Sequence, residues 1–450
     1  MRIARREAIA VAIGLVLVAA AFVVPRLNWG IRSRLHTAPD RFGWHAPAAP
    51  IFGWFNAHVG WGTGPAVLLA LAAVVWGPVV AQRLSWRALP LVAWATSFAW
   101  AFALAMIDGW QRGFAGRLTD KDEYLPQVPG ITDIPLALRT FSSRILDFQP
   151  NSWVTHVSGH PPGALLTFVW LNRIGLGGGA WAGLLCVLVG SSAAAAIVIT
   201  LRALADEPTA RRAASFVAVA PTAIWIAVSA DGYFAGVAAW GIALLTLAAR
   251  DAVRFPVLVA AAAGLLLGWA VFLSYGLTLI AFPALAVLVC ATDWRSARRS
   301  LGSAILAAAA VAAAFAATGF CWFDGYALVQ QRYWQGIAHD RPFQYWSWAN
   351  LAAVVCAIGL GSVAGLSRVF DLAAIRRRSG LHLLILAMLV AIVCADLSML
   401  SKAETERIWL PFTVWLTSAP ALLPQRTVRL WLALNVVGAL LLNSLIFTHW

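Results

Sequence analysis

Apolar residues occur in long uninterrupted blocks along the 450-residue chain, and polar residues are confined to the segments between the blocks. A block of about 17–20 residues is long enough to cross the hydrocarbon core of a bilayer as an α-helix. The pattern predicts about thirteen such helices, at 8–25, 64–82, 89–107, 180–201, 213–230, 232–249, 255–273, 275–291, 300–319, 348–366, 381–399, 408–423 and 430–448.

Composition supports this pattern. Hydrophobic residues make up 61% of the chain and charged residues only 12%, whereas soluble domains are about 25% charged. Mean hydropathy is +0.78. These values exclude a soluble enzyme, a disordered chain and a secreted disulfide scaffold. The predicted fold is an all-α integral membrane protein with a long outer loop carrying surface or re-entrant helices.

The net charge of +14 is concentrated in alternate loops. Runs such as 376–378 and 295–299 contain three arginines each, and basic loops mark the cytoplasmic side of a membrane protein. We therefore expect a protein of the plasma membrane whose N-terminus lies in the cytoplasm. Its expected partners are membrane lipids and not nucleic acid. The apolar segment 161–175 is too short to span, so we place it along the outer surface or as a re-entrant segment.

The first candidate site lies early in the predicted outer loop 108–180. Asp120, Asp122 and Glu123 fall within four residues, followed by Tyr124. One of these carboxylates could act as a general base toward an acceptor hydroxyl. Asp120 and Asp122 also have the spacing to share a divalent cation, Mg²⁺ or Mn²⁺. The alternative is a solvated loop without chemistry.

The second candidate is the segment from His156 to His160, which is followed directly by Pro161 and Pro162. Prolines restrict the backbone on both sides of the peptide bond, so we expect His160 to be held rigidly near the height of a lipid headgroup. There it could donate a hydrogen bond to a phosphate. The alternative is a turn that caps the surface helix.

The third candidate lies late in the chain, between two apolar helices. Arg407 offers a planar guanidinium suited to a phosphate, and Glu404 or Glu406 could orient it. Lys402 is one of only two lysines, and both lie in acidic outer loops. The alternative is an interfacial loop with ordinary salt bridges.

Two further positions complete the candidate residues. Asp231 lies in a tight outer turn whose Asp-Gly sequence is explained by turn chemistry alone. Tyr333 lies in the late outer loop 320–347, which could serve as a lid.

The chain has no P-loop motif and no HExxH motif. No Asp, Glu, Lys or Arg lies in the middle of a predicted helix, which disfavours a proton-coupled transporter.

The order of these motifs resembles the GT-C superfamily of multi-pass glycosyltransferases, and in particular its actinobacterial members. Asp122-Glu123 is similar to the acidic element of the family's large outer loop, and His160-Pro161-Pro162 to the element that follows it. Asp231 resembles the second acidic turn. The segment from Glu404 to Phe412 is similar to the late Glu/Arg element near the lipid phosphate.

The resemblance implies a glycosyltransferase that moves a sugar, a hexose or a pentose, from a polyprenyl-phosphate donor to a cell-envelope glycan or glycolipid outside the cytoplasm, with inversion. Asp122, or failing that Glu123 or Asp120, is the expected base. The expected donor-binding residues are Arg407, Lys402, His160 and Glu406. Asp231, Tyr124, His156 and Tyr333 are expected to bind substrate. A transporter or flippase for a lipid-linked precursor is the alternative.

The chain departs from the family pattern in one respect. Its acidic loop follows the third predicted helix, whereas the family's loop usually follows the first. Either the N-terminal segment is an added helical hairpin, or Asp40 in the first outer loop competes for the base role. We favour Asp122. The expected units are residues 1–88, a catalytic core at 89–319 and a C-terminal helical part at 320–450.

Overall fold

The computed structural model describes residues 3–27, 29–37 and 46–449, and their regular secondary structure is almost all helical. In the first half the helices are α1 (Arg5–Val23), α2 (Thr63–Arg83), α3 (Ala88–Ala105), α4 (Ile134–Arg139), α5 (Thr155–Ser158), α6 (Pro162–Arg173), α7 (Gly179–Ser191), α8 (Ala193–Leu204), α9 (Glu207–Ala218) and α10 (Ala223–Ile226). In the second half they are α11 (Ala230–Ala249), α12 (Pro256–Leu273), α13 (Ala281–Val289), α14 (Trp294–Ala317), α15 (Trp322–Gln335), α16 (Phe343–Ile358), α17 (Leu360–Leu366), α18 (Leu372–Arg376), α19 (Gly380–Leu397), α20 (Thr405–Ile408), α21 (Leu410–Leu416) and α22 (Val428–Leu445).

Nine helical segments within the described ranges are long and apolar enough to cross a membrane, or ten if one bent pair is a single span. They are α1, α2, α3, α7 with α8, α11, α12, α14, α19 and α22. The chain is therefore a multi-pass membrane protein. The predicted count of thirteen is not confirmed, because four of the predicted helices are short or broken.

Proline and glycine explain these interruptions. The helix predicted at 213–230 ends in α9 at Ala218, and Pro221 follows in the break before the short α10. The helix predicted at 348–366 breaks at Gly359, where α16 and α17 meet at 112°. Pro283 falls within the short α13, and Pro411 lies at the start of α21. Proline lacks the backbone N–H that a helix interior needs.

Helix α11 lies at the centre of the fold. In its membrane-spanning window 78% of the residues are buried, against 17% for α1, α2 and α14. Small residues allow the helices around it to approach closely. A Cβ atom at Gly264 of α12, for example, would lie 2.1 Å from the carbonyl oxygen of Ala304 in α14. The N-terminal end of α11 carries Asp231, so the most buried helix also positions a candidate residue.

Helix α6 fixes the second candidate motif against this core. It has twelve residues, fewer than the roughly twenty that span a bilayer. Pro162 occupies its first turn, where a missing N–H is tolerated. A Cβ at Gly163 would lie 2.5 Å from the carbonyl oxygen of Phe272 in α12. His160 is thus held just before a helix that packs directly on a membrane span.

A two-stranded ribbon joins the segment between α1 and α2 to the C-terminal end of the described chain. Strand β1 (Gly53–Phe55) pairs antiparallel with β2 (Ile446–Thr448). The Arg112 guanidinium lies 3.9 Å from the Phe447 ring centroid and donates a hydrogen bond to the Thr448 carbonyl at 2.8 Å. Near the chain start, α1 packs against α16 and α17, whereas α2 packs against α9 and α22. The ribbon therefore lies against the beginning of the acidic loop.

Candidate active site

Arg407, on the short helix α20, is the centre of a buried network. Its Nη1 donates to Asp231 Oδ2 at 2.7 Å, and its Nη2 donates to Glu404 Oε2 at 2.8 Å. Nη2 also lies 3.1 Å from His156 Nε2. Only 6% of Arg407 is exposed. Three predicted clusters from distant parts of the sequence therefore meet at one guanidinium.

The contact with Arg407 fixes the tautomer of His156. A guanidinium can only donate hydrogen bonds, so Nε2 of His156 must carry the lone pair and Nδ1 the hydrogen. Nδ1 lies 2.8 Å from Glu123 Oε1. Burial raises the pKa of Glu123, but His156 and Arg407 outweigh burial, and the net shift is downward. Glu123 is thus an ionised side chain held inside the protein.

Asp122 occupies a different environment, although it is adjacent to Glu123 in sequence. Its carboxylate is half-buried and accepts a long hydrogen bond, 3.4 Å, from Thr155 Oγ1. Its backbone is fixed, because its carbonyl accepts from the His156 N–H at 3.0 Å and its N–H donates to the exposed Asp120 side chain at 3.2 Å. Hydrogen bonds therefore fix the backbone of Asp122, while its carboxylate stays accessible.

Glu404 extends the network toward the late outer loop. It accepts from Arg341 Nη2 at 3.0 Å as well as from Arg407. Arg341 also donates to the carbonyls of Lys402 and His36, at 2.7 and 2.8 Å. Burial raises the pKa of Glu404, but the two guanidinium groups lower it further, to about 2. With Glu123 and Asp231, three carboxylates therefore face two guanidinium groups.

His160 lies beside this network. Its Nδ1 is 2.8 Å from the His156 carbonyl oxygen and 2.9 Å from Tyr124 Oη. Its ring lies against Tyr124 and Phe234, with centroids 5.9 and 5.5 Å away. Burial lowers the pKa of His160 and raises that of Tyr124. Both groups are therefore uncharged near neutral pH.

Lys402 and Tyr333 are next to each other in the structure. The Lys402 ammonium donates to the carbonyls of Ala338 and Arg341 at 2.6 and 2.8 Å. The Lys402 N–H donates to Tyr333 Oη at 3.0 Å. In this arrangement both side chains connect the late outer loop to the segment that precedes α20.

Glu406 is fully buried and connects the site to the N-terminal segment. Its Oε1 accepts from the Phe52 N–H at 2.9 Å, and its Oε2 has no hydrogen-bond partner among the described residues. Burial raises the pKa of Glu406 to about 7. Asp40, the competing base predicted from the sequence, lies outside the described residues.

Sequence reasoning missed two residues that shape the site. Asn350, in α16, donates to Asp396 Oδ1 and to the Ser401 carbonyl, and accepts from the Ala403 N–H. It thereby holds the turn in which Glu404 adopts a left-handed conformation, φ +61°. The sequence signal that could have identified Asn350 is its side-chain amide, which is a polar group in an otherwise apolar stretch. His449 follows β2; burial lowers its pKa to about 4, and the Glu404 charge opposes that shift. No sequence signal pointed to it.

The site offers limited ligands for a metal ion. No group of three or more His, Cys, Asp or Glu side chains is placed to bind a metal within the described residues. Asp120 and Asp122 supply two carboxylates on the accessible side. Mg²⁺ is commonly held by one or two carboxylates together with substrate phosphates and water. Asp120 and Asp122 therefore match the number of carboxylates that Mg²⁺ commonly takes from a protein.

No family model matches the chain, and no characterised protein sequence matches it either. Among solved structures, the chain is similar to the archaeal oligosaccharyltransferase AglB from Archaeoglobus fulgidus in complex with an inhibitory peptide and a dolichol-phosphate, with 12% identity over 75% of this chain and a TM-score of 0.46. The apo form of the Archaeoglobus fulgidus oligosaccharyltransferase is 13% identical over 75% of this chain, with a TM-score of 0.49. Its complex with zinc and sulfate is 14% identical over 79% of this chain, with a TM-score of 0.42. The chain spans about half the length of these proteins, 50–52%.

Proposed function

We propose that the protein is a glycosyltransferase that moves a sugar from a polyprenyl-phosphate donor to a cell-envelope glycan or glycolipid. The observation that carries this proposal is the meeting of Glu123, His156, Asp231 and Arg407 in one buried network beside the accessible Asp122. Such a network holds an acid–base group in place. The site would face the extracytoplasmic side of the plasma membrane, with the N-terminus in the cytoplasm.

Asp122 is the proposed general base. It takes the proton of the acceptor hydroxyl as that oxygen bonds to the anomeric carbon. The bond from this carbon to the phosphate oxygen breaks on the opposite face, so the configuration inverts and the electron pair leaves on the phosphate. General-base assistance contributes about 10²–10⁴-fold. Glu123 is bound to His156 and buried, so we assign it to positioning.

The leaving phosphate needs positive charge nearby. Arg407 is the strongest cation of the predicted donor group, but both of its terminal nitrogens already bind protein atoms. The charges of Arg341 and Arg407 are also offset by Glu404 and Asp231 within the network. Asp120 and Asp122 are the residues that would hold a divalent cation beside the phosphate, and such a cation would supply positive charge there. The other predicted contacts, from Lys402, Glu406, Tyr124 and Tyr333, stay proposals.

The test is transfer from a synthetic polyprenyl-phosphate sugar by the purified protein. We expect Asp122→Asn to lower kcat by about 10²–10⁴-fold without changing the thermal unfolding temperature. Asp324→Asn, at an exposed aspartate in the first turn of α15, is the matched control and should have full activity. Chelation with EDTA should inhibit the wild type, and added Mg²⁺ should restore it.

Full activity of Asp122→Asn would remove Asp122 as the base. Movement of the lipid-linked sugar across vesicles without transfer would favour the transporter or flippase instead. In size and character the sequence is similar to the mycobacterial methylthioxylose transferase, which decorates lipoarabinomannan. An actinobacterial lipoarabinomannan acceptor is therefore the first to assay.

A further inference from the structure

The ring of His160 is oriented by a group that can only accept hydrogen bonds. Its Nδ1 lies 2.8 Å from the backbone carbonyl oxygen of His156. A carbonyl oxygen has no hydrogen to give, so this contact requires the hydrogen of the ring to be on Nδ1. The Tyr124 oxygen, 2.9 Å from the same nitrogen, then shares that hydrogen as a second acceptor. In a neutral ring, Nε2 consequently carries a lone pair.

The position of this lone pair is fixed by packing. The two prolines after His160 restrict its backbone, and its ring is enclosed by Tyr124 and Phe234. The side chain is half-buried. Its Nε2 has no hydrogen-bond partner among the described residues, since both of its ring contacts are made through Nδ1. The geometry therefore presents an oriented acceptor nitrogen.

The charges around the ring determine whether it stays neutral. Burial, the largest effect, lowers the pKa of His160, and the charge of Arg407 lowers it further, whereas Asp231 and the hydrogen bond to the His156 carbonyl raise it. Glu123, whose carboxylate interacts with the His160 ring, is bound to His156. The net shift is downward, so the neutral form is the one present at pH 7.

We propose that His160 Nε2 accepts a hydrogen bond from a sugar hydroxyl, and that His160 selects the substrate through this contact instead of binding the lipid phosphate as a cation. The inference rests on the proposed function, because it takes a sugar as the ligand. A phosphate oxygen needs a donor, which the neutral ring does not offer at Nε2. A hydroxyl is a donor and matches the lone pair.

This role differs in its chemistry from that of the base. No covalent bond is made or broken at His160, and the acceptor proton still goes to Asp122. A site built to bind a hydroxyl discriminates strongly against a ligand that lacks it. His160 would therefore make the enzyme sensitive to removal of one sugar hydroxyl, in the donor or the acceptor, while leaving the binding of sugar-free polyprenyl phosphate unchanged.

Two substitutions separate an acceptor from a cation. His160→Gln keeps an acceptor oxygen near the Nε2 position, whereas His160→Lys supplies a positive charge. We expect His160→Gln to keep kcat/KM within about tenfold of the wild type, and His160→Lys to lower it by about 100-fold or more. Inhibition by sugar-free polyprenyl phosphate should be equal in the wild type and His160→Gln.

His382 provides the matched control. It is a half-buried histidine at the start of α19 whose Nδ1 bonds to Ser379 Oγ at 2.8 Å, far in sequence from the site residues. His382→Gln and His382→Lys should both transfer sugar at the wild-type rate. Thermal unfolding of all four variants verifies that each is folded. Higher activity of His160→Lys than of His160→Gln, or weaker inhibition of His160→Gln by polyprenyl phosphate, would overturn the inference.

A second measurement does not depend on transfer. In protein labelled with ¹⁵N-histidine, the signal that disappears in His160→Gln belongs to His160. We expect it to show a neutral ring with hydrogen on Nδ1 at pH 7. A ring protonated on Nε2 refutes the inference even if transfer occurs. If the wild type transfers no sugar while the expected tautomer is found, the proposed function is wrong, and so is the assignment of a sugar as the ligand. The assignment of Nε2 as a hydrogen-bond acceptor is then still supported.

Discussion

Arg407 illustrates how single residues hold charge in this site. The guanidinium is buried, and it bonds to two carboxylates and an imidazole instead of to solvent. A buried charge is tolerated only when it is paired and hydrogen-bonded. The pairing in turn fixes the tautomer of His156 and the ionised state of Glu123. One side chain thus organises the groups around the proposed base.

Removing either partner of the Arg407–Asp231 pair should destabilise the protein. Arg407→Gln leaves two carboxylates without their partner, and we expect a loss of about 3–5 kcal/mol in the free energy of unfolding. Asp231→Asn alone should also be destabilising. The double variant should lose less than the sum of the two, because it leaves one fewer unpaired charge. Denaturation in detergent checks this; additive losses would show that the pair is not coupled.

Glu406 makes stability depend on pH in the opposite sense to Glu404. Its pKa is raised by burial to about 7 from an ordinary value of 4.5. A raised pKa stabilises the fold below the unfolded pKa, and this contribution is lost as pH rises through the folded pKa. We expect the wild type to lose about 3 kcal/mol between pH 4.5 and 7 through this group.

The variant Glu406→Gln tests this dependence. It cannot ionise, so its unfolding temperature should fall less than that of the wild type between pH 5 and pH 8. Glu404 acts at lower pH: its lowered pKa stabilises the fold above pH 4.5, and that contribution disappears as pH falls toward 2. Parallel pH profiles for the wild type and Glu406→Gln between pH 5 and 8 would contradict the assignment.

At the scale of elements, short and broken helices build the site. Helices α5, α10 and α20 have four residues each, and Asp231 and Arg407 lie in the first turn of α11 and in α20. A continuous helix presents side chains only along its own faces, whereas a break lets the chain turn back toward a neighbour. The same breaks reduced the number of spans from the thirteen predicted.

The bend between α16 and α17 tests this view. Gly359 has φ +78°, and a Cβ there would lie 2.7 Å from Asn435 Oδ1. Gly359→Ala should therefore destabilise the protein by about 1–3 kcal/mol. Gly302, inside α14 with open space around it, is the matched control, and Gly302→Ala should be neutral or stabilising by up to about 1 kcal/mol. Equal unfolding temperatures for both variants would argue against a constrained bend.

At the scale of the whole molecule, the site residues come from loops that the charge pattern assigns to one face. Residues 120–124, 156–160, 231 and 404–407 all meet, as loops on the same side of a membrane must in order to form one site. The ribbon and Glu406 bring the N-terminal segment to the same place. The arginine distribution predicts that this is the extracytoplasmic face.

Cys321 reports on that face. It is exposed at the start of α15, whereas the other four cysteines are buried or half-buried. A membrane-impermeant maleimide should label Cys321 from the extracytoplasmic side of sealed vesicles, and Cys321→Ser should abolish the labelling. In that background, Arg377→Cys should be labelled only in vesicles of the opposite orientation. Labelling of Cys321 from the cytoplasmic side would invert the predicted topology.

The sequence by itself determined the class of the protein. Apolar blocks of bilayer length must be buried in lipid or in other helices, so the helical membrane fold and most of its spans could be predicted. The clusters containing Asp122, His160, Asp231 and Arg407 were visible because charged residues are rare in such a chain. Breaks at Pro221 and Gly359 were missed, because apolar composition continues across them.

Only the tertiary structure decided which candidates work together and in what state. Asp122 and Glu123 are neighbours in sequence, yet one carboxylate is accessible and the other is buried against His156. The protonation of His156 and His160 depends on partners far along the chain or on a backbone carbonyl. Such properties arise from distances and burial, and local sequence does not contain them, because residues 123, 231 and 407 become neighbours only after folding.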